Sequence, residues 1–423
     1  MSHYKPYPAY KESGVEWIGQ VPEHWGVKPI YSVASLRNGF PFKAELFRKE
    51  GAKSNRILRI RDISGDDEAI YSDEPSPKMA EIKSGDILIG MDGDFNVHLW
   101  ERGNAKLNQR MCAVNGNTNE ISYFLSHSVA IPLKMVNDLA YATTVKHLSS
   151  YEVLHTRVPI PPQEELKFIN QTLNRETTRI DTLISKKTRF IELLKEKRQA
   201  LITQAVTKGL DPNVKMKDSG VEWIGEVPEH WQVARIKRHA KIRTERRNDI
   251  SSGVIYIGLE DVESKSGKYK PISRNSRQSE DSTVGVFYKD DVLYSKLRPY
   301  LRKSIVTKMD GTCSTEFLVL KTNNTNPRWL NQWLLTTEVT HQIEAGCEGA
   351  KMPRADWEHV ASIEMPAPNE EEQVRILVAL DRETTRIDTL IEKSKLSIDL
   401  LKERRSALIT AAVTGQIDLR EAV

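Results

Sequence analysis

The chain has 423 residues, 39% of them hydrophobic and 28% charged, with a formal net charge of +4. That length suits two or three domains, and that apolar share argues against a disordered chain. No apolar run reaches the length of a membrane span and the polar start MSHYKPYPAY is no signal peptide; Cys112, Cys313 and Cys347 are too scattered for a disulfide framework or zinc knuckle, so a reducing cytoplasm is the expected location.

The first element is a signature, KESGVEWIGQVPEHW, over Lys11 to Trp25. His24 sits just before its second tryptophan, and with no Asp/His/Cys cluster nearby the expectation is packing rather than metal or catalytic work. A long middle follows, with strand-like runs at Ile57 to Ile60, Ile87 to Met91 and Met111 to Val114 between Gly, Asp and Asn clusters. Such runs suggest a compact α/β domain whose polar loops carry the working residues. The candidates are Arg59 and Arg61, then Asn96 and His98 in the tract DGDFNVH, then Lys106, Asn108, Gln109 and Arg110.

A proline-rich hinge, Val158 to Leu166, then opens a helix through acidic residues. Its heptad positions are Leu173, Thr177, Ile180, Ile184, Lys187, Ile191, Leu194, Arg198, Leu201 and Ala205, and it should stop at Gly209. At about forty residues it would be roughly 60 Å long. Two ordinary core helices would explain the pattern less well than a coiled-coil pair, because the heptads are strict and the flanks polar.

The whole arrangement then recurs. KDSGVEWIGEVPEHW occupies Lys217 to Trp231, with His230 in the place of His24. A hinge at Glu364 to Gln373 leads into a helix with Leu380, Thr384, Ile387, Ile391, Ser394, Ile398, Leu401, Arg405, Leu408 and Ala412 on its seam, ending at Gly415. Roughly two residues in three match between the helical blocks, far beyond chance. The two middles, about 26–157 and 232–365, share almost nothing. One duplicated frame presents two unlike modules. The helices are expected to pair antiparallel about a pseudo-twofold axis, with Lys187, Arg198 and Arg405 snorkelling or pairing with Glu to fix register.

The second middle has strand-like runs at Val254 to Leu259, Val292 to Ser295 and Phe317 to Leu320. It is also locally basic, in ARIKRHAKIRTERR (Ala234 to Arg247) and KLRPYLRK (Lys296 to Lys303), clusters that suit a phosphate backbone, although a solvated face would explain one of them equally well. Its candidates are Arg243, Arg246, Arg247, Lys296, Arg298, Tyr300, Arg302 and Lys303, with Ser314 to Glu316 as a further loop. Arg, Lys, Asn and Gln have the geometry to read base edges in the major groove. A last matched pair, Ala142 to His147 and Gly349 to Arg354, places Lys146 and Arg354 in phosphate-contacting loops or in plain strand-to-helix turns.

Enzymatic motifs are missing. There is no G-x-x-x-x-G-K-[ST] loop, no [DNS]-P-P-[YFW] motif and no Gly-rich cofactor turn, while Glu263-Ser-Lys265 lacks the partner a nuclease would need. The expected organisation is signature and first variable module at 1–157, hinge and helix at 158–210, signature and second variable module at 211–365, and hinge and helix at 366–423. The fold class is α+β: two α/β domains joined by two long helices pairing as an antiparallel coiled coil, with an internal repeat.

The duplicated signature, the P-x-P-x-x-E-E hinge and the R-I-D-x-L-I heptad helix together resemble the specificity subunits of Type I restriction-modification enzymes, over essentially the whole chain. The run from Tyr294 to Phe317 also resembles a common target-recognition domain of that family. The resemblance implies a non-catalytic protein in which each module reads one half of a split, asymmetric DNA site. It implies that the helices set the spacer and dock two methyltransferase subunits, which two restriction subunits join for cleavage. S-adenosylmethionine, ATP and Mg would then be bound by those partners and no cofactor by this chain. The competing reading is a coiled-coil adaptor that bridges two proteins without touching DNA.

Overall fold

The computed structural model describes residues 4–52, 55–63, 69–139, 146–248, 254–271, 283–347 and 352–422. The chain forms two compact units, Met1–Lys187 with Leu396–Val423, and Thr188–Lys395. The boundaries fall within the two long helices, so each unit takes part of both.

Both units follow one plan. The signature folds as a hairpin, Tyr10–Glu12 against Gln20–Pro22 in the first unit and Met216–Asp218 against Glu226–Pro228 in the second. Each module is then entered and left through a single antiparallel ribbon. Gly26–Pro29 pairs with Arg157–Ile160, and Gln232–Arg235 pairs with Glu364–Ala367. Pro159 and Pro366 of the hinges therefore sit on a short two-stranded ribbon, where a missing N–H is tolerated.

Inside, the dissimilar middles share a topology. In the first, one sheet runs in the spatial order Val97–Leu99, Ile87–Gly90, Met111–Gly116, Ala34–Asn38, antiparallel throughout. In the second, the order is Ser304–Val306, Val292–Ser295, Phe317–Thr322, Ala240–Arg243, again antiparallel. A second sheet is built in each on a parallel pair: Arg56–Leu58 with Ala105–Leu107, and Tyr256–Ile257 with Gly311–Cys313. An antiparallel neighbour flanks each pair, Glu81–Ile82 or Val284–Phe287. The fourth strands differ. Ile70–Tyr71 lies beside the first strand of its parallel pair, whereas Arg246–Arg247 lies on the far side of Val284–Phe287.

The long helices span Gln163–Lys208 (46 residues) and Glu370–Val413 (44 residues). Acidic residues crowd both first turns, where they favour the helix dipole. Gly209 (φ +74°) and Gly415 (φ +72°) follow the ends in the left-handed conformation that closes a helix. In the first unit Leu166, Ile169, Leu173 and Ile180 share a core with Leu408, Ile409, Ala412 and Val413. In the second, Ile202, Ala205 and Val206 share one with Ile376, Leu377 and Leu380. Early residues of one helix meet late residues of the other in both cases, so the pair is antiparallel. Each fully buried seam aliphatic contributes about 1.5–3 kcal/mol. The seam arginines take Asp rather than the expected Glu: Arg198 pairs with Asp388 and Arg405 with Asp181.

The signature histidines are structural, and the partner is the helix start. Trp25 and Trp231 are fully buried. Trp25 Nε1 donates to Glu165 Oε1 at 3.1 Å while His24 Nε2 lies 2.8 Å from Oε2, and Trp231 and His230 repeat this on Glu372 at the same distances. A carboxylate in the first turn of each long helix thus anchors the signature that precedes the module. In the first unit Tyr7 also donates to Glu165, and Arg420 lies 3.7 Å from it.

Candidate nucleic-acid interface

In both modules the central strand Ile87–Gly90 or Val292–Ser295 leaves the sheet into a loop, and three backbone hydrogen bonds fix where that loop begins. In the first, the Met91 N–H donates to the Arg110 carbonyl (2.9 Å), Leu148 N–H to Met91 (2.7 Å) and Gly93 N–H to Lys146 (3.3 Å). In the second, Lys296 N–H donates to Glu316 (2.8 Å), Ala355 N–H to Lys296 (2.9 Å) and Arg298 N–H to Pro353 (3.0 Å). Isolated bridges complete the match, Asp92 with His147 and Leu297 with Arg354. The junction is the same. What hangs from it is not.

In the first module Asp92 accepts from Arg110 Nη1 and lies against His147 Nδ1, each at 2.7 Å. Burial pushes the Asp92 carboxyl up, but the hydrogen bonds from His147 and Arg110 outweigh it and its pKa lies below the ordinary value. In the second module the acid has moved. Glu316, which stands where Arg110 does, accepts from Arg354 Nη2 at 2.7 Å. Opposite charges therefore line equivalent positions in the two modules.

The sequence candidates divide by what holds them. Arg61, Asn96, His98, Gln109, Arg110, Arg246, Arg247, Tyr300 and Arg354 are exposed. Arg247 lies 3.4 Å from Glu245, and burial followed by the Arg102 charge lowers the pKa of His98. A second set is committed inside the protein. Arg59 forks onto Asp62 with two bonds of 3.0 Å, and Lys106 caps the Ser72 and Glu74 carbonyls at 3.3 and 3.2 Å. Lys146 holds Asn137 at 2.7 Å, and Arg243 pairs with Asp291 at 2.6 Å while lying over the Tyr288 ring. Arg302 donates to the Leu335 carbonyl (3.3 Å) and Thr337 Oγ1 (2.8 Å), and Lys303 to the Leu259 carbonyl (2.7 Å). Asn108 Oδ1 accepts from the Gln109 N–H. Lys296 and Arg298 are half-buried.

Of the matched loops, Ala142 to Val145 and Gly349 to Lys351 lie outside the described residues. Their described ends are equivalent, but in the first module the residue matching Arg354 is His147, not Lys146. The alignment that pairs the two loops carries that signal, and the sequence reading passed it over in favour of the lysine.

Cys112 and Cys313 are buried, and burial pushes both thiols up to about 12, so neither is a nucleophile near neutrality. Among the described residues no group of His, Cys, Asp and Glu could hold a metal ion, and no helix is long and apolar enough to cross a membrane.

Two unlike loop sets are carried on one duplicated frame. Residues 22–201 match the family model for the Type I restriction modification DNA specificity domain. The chain is 32% identical over 199 residues to the EcoBI specificity subunit of Escherichia coli, an alignment that spans 46% of this chain and 41% of that one. It is 23% identical over 431 residues to the putative MjaX specificity subunit of Methanocaldococcus jannaschii, covering 97% and 98% of the two chains. Two solved structures share the fold at 15% identity. One is a chain from a type I R-M system studied for its complex assembly and conformational transition (TM-score 0.67, 93% and 98% covered), the other the HsdS subunit of Thermoanaerobacter tengcongensis (0.51, 94% and 98%). Residues 22–201 thus resemble the DNA specificity domain of the Type I restriction-modification specificity subunits, and the chain spans less than half the length of the EcoBI subunit it matches.

Proposed function

We propose that this chain is the non-catalytic DNA-recognition subunit of a Type I methyltransferase and restriction complex in the cytoplasm, each module reading one half of a split, asymmetric site. The observation that carries this reading is the shared three-bond junction from which two differently charged loop sets project. The exposed cations and amides Arg61, Asn96, Gln109, Arg110, Arg246, Arg247 and Arg354 make the contacts, some to phosphate and some to base edges. Arg59, Lys106, Lys146, Arg243, Arg302 and Lys303 shape the loops from inside.

The long helices set the spacer and receive two methyltransferase subunits, with two restriction subunits joining for cleavage. Apolar side chains left exposed on them support a protein-covered face: Leu183, Leu396 and Leu400 in the first unit, and Phe190, Leu193 and Val378 in the second. S-adenosylmethionine, ATP and Mg are held by those partners. An adaptor with no DNA role would leave the exposed cations of both loop sets unexplained.

The test is methylome sequencing of a strain carrying this chain with its methyltransferase, repeated after replacing residues 232–365 with the module of a relative. One half of the methylated site should change and the other persist. Change in both halves, or none, refutes modular reading. The purified chain alone should transfer no methyl group, and reproducible transfer would contradict the non-catalytic assignment.

A further inference from the structure

The loops that leave the shared junction carry left-handed residues at both ends. In the first module these are Gly93 (φ +76°) and Phe95 (φ +48°); in the second they are Arg298 (φ +52°) and Arg302 (φ +47°). An L-residue with a side chain pays conformational energy there that glycine does not, so each non-glycine needs a compensating contact.

For two of the three the contact is visible. Phe95 is buried in the core of its module. Arg302 holds the Leu335 carbonyl and Thr337 Oγ1, and the same carbonyl accepts from Gln199 of the first long helix at 3.2 Å, so Arg302 ties the loop to that helix. Among the described residues no contact compensates Arg298. Its Nε is buried and without a partner, a second cost on top of the backbone. Its counterpart by hydrogen bonding is Gly93, where nothing lies within 4 Å of the place a Cβ would occupy. Glycine satisfies this position in one module; the other keeps an arginine at a loss.

We propose that Arg298 is a specificity-determining residue of the second half-site, its guanidinium reading the major-groove edge of a guanine. This rests on the DNA-specificity reading above. The ligand follows from the fork geometry of arginine, which matches guanine O6 and N7. Pro299 locks the next backbone angle, and Arg302 anchors the far end of the turn, so the backbone that carries the group is fixed before DNA arrives.

The experiment compares the assembled methyltransferase carrying wild-type chain, Arg298→Gly and Arg298→Lys, by genome-wide adenine methylation and by thermal melting of the complex. Arg298→Gly should melt at or above the wild-type temperature, since it removes the strain and the orphaned Nε. It should lose about ten- to a hundredfold discrimination at one G·C pair of the second half-site, with the first half-site unchanged. Arg298→Lys should lose discrimination at the same pair, because an ammonium lacks the fork. A lower melting temperature for Arg298→Gly, undiminished discrimination at every position, or a uniform loss across all sequences would each overturn the proposal. A wild-type complex with no sequence preference would instead refute the DNA-specificity reading itself.

Discussion

Arg198 Nε lies 3.1 Å from Asp388 Oδ1 in the second unit, and their repeat equivalents Arg405 and Asp181 meet at 2.9 Å in the first, with the roles of the two helices exchanged. The environments differ. Arg198 and Asp388 are 15% and 26% exposed, against 36% and 52% for Arg405 and Asp181. Lys268 of the second module also reaches Asp388 Oδ2 at 2.6 Å, so that carboxylate joins both helices and a loop of that module.

Replacement of the two aspartates should therefore have unequal effects. Asp388→Asn leaves two cations without their carboxylate and should cost about 1–3 kcal/mol, whereas Asp181→Asn removes an exposed pair and should cost about 1 kcal/mol or less. Thermal or denaturant unfolding of the two variants checks the order, and equal losses would contradict it.

This pair also shows what was legible in the sequence. The heptads of Leu173 to Ala205 and Leu380 to Ala412 reveal the antiparallel seam, because period and duplication are written in residue spacing. The aspartate partners are not on the seam positions and so stayed hidden. Strands such as Ile87–Gly90 and Val292–Ser295 read plainly as apolar runs, while Ala34–Asn38 and Ala240–Arg243 carry polar residues on one face and were passed over. The common topology of the modules is set by strand order and hydrogen bonding, which unlike side chains do not reveal. Nor could the run Arg298 to Arg302 show which of its arginines is anchored inside.

The helix-start carboxylates yield a second prediction. Glu165→Ala leaves the Trp25 indole and the Tyr7 hydroxyl without their acceptor, and Glu372→Ala leaves the Trp231 indole. Each buried donor so stranded should cost about 1–3 kcal/mol. The Glu165 change should be the more damaging in a melting experiment.

His127 supplies a pH dependence. Burial first, then the Arg405 charge, lowers its pKa from the ordinary 6.5 to about 4, and its Nε2 is covered and unpartnered. The unfolded chain thus binds the extra proton between those values and the folded chain does not. Its contribution to stability is full above pH 6.5 and is lost as pH falls towards 4, up to roughly 3 kcal/mol. His127→Phe should flatten the stability profile in that window, read by urea titrations at several pH values. An unchanged slope would show that the ring takes up its proton in the folded state.

A fourth prediction concerns spacing. One heptad added to both long helices keeps the seam in phase and lengthens each by roughly 10 Å. DNA rises about 3.4 Å per pair, so the spacer between half-sites should grow by about one to three pairs, with rotation around the duplex opposing the full change. Methylome sequencing would report identical half-sites farther apart. Robust methylation at the original spacing would mean that the helices do not measure it.

The loops between strands run over residues 91–96 in one module and 296–303 in the other, yet both depart from a junction made by main-chain groups alone. Because the hydrogen bonds of that junction use only main-chain groups, they do not depend on which side chains the exposed loop positions carry, whereas Phe95 and Arg302 still tie each loop to its own module. An exchange confined to the exposed loop positions therefore leaves these main-chain bonds in place.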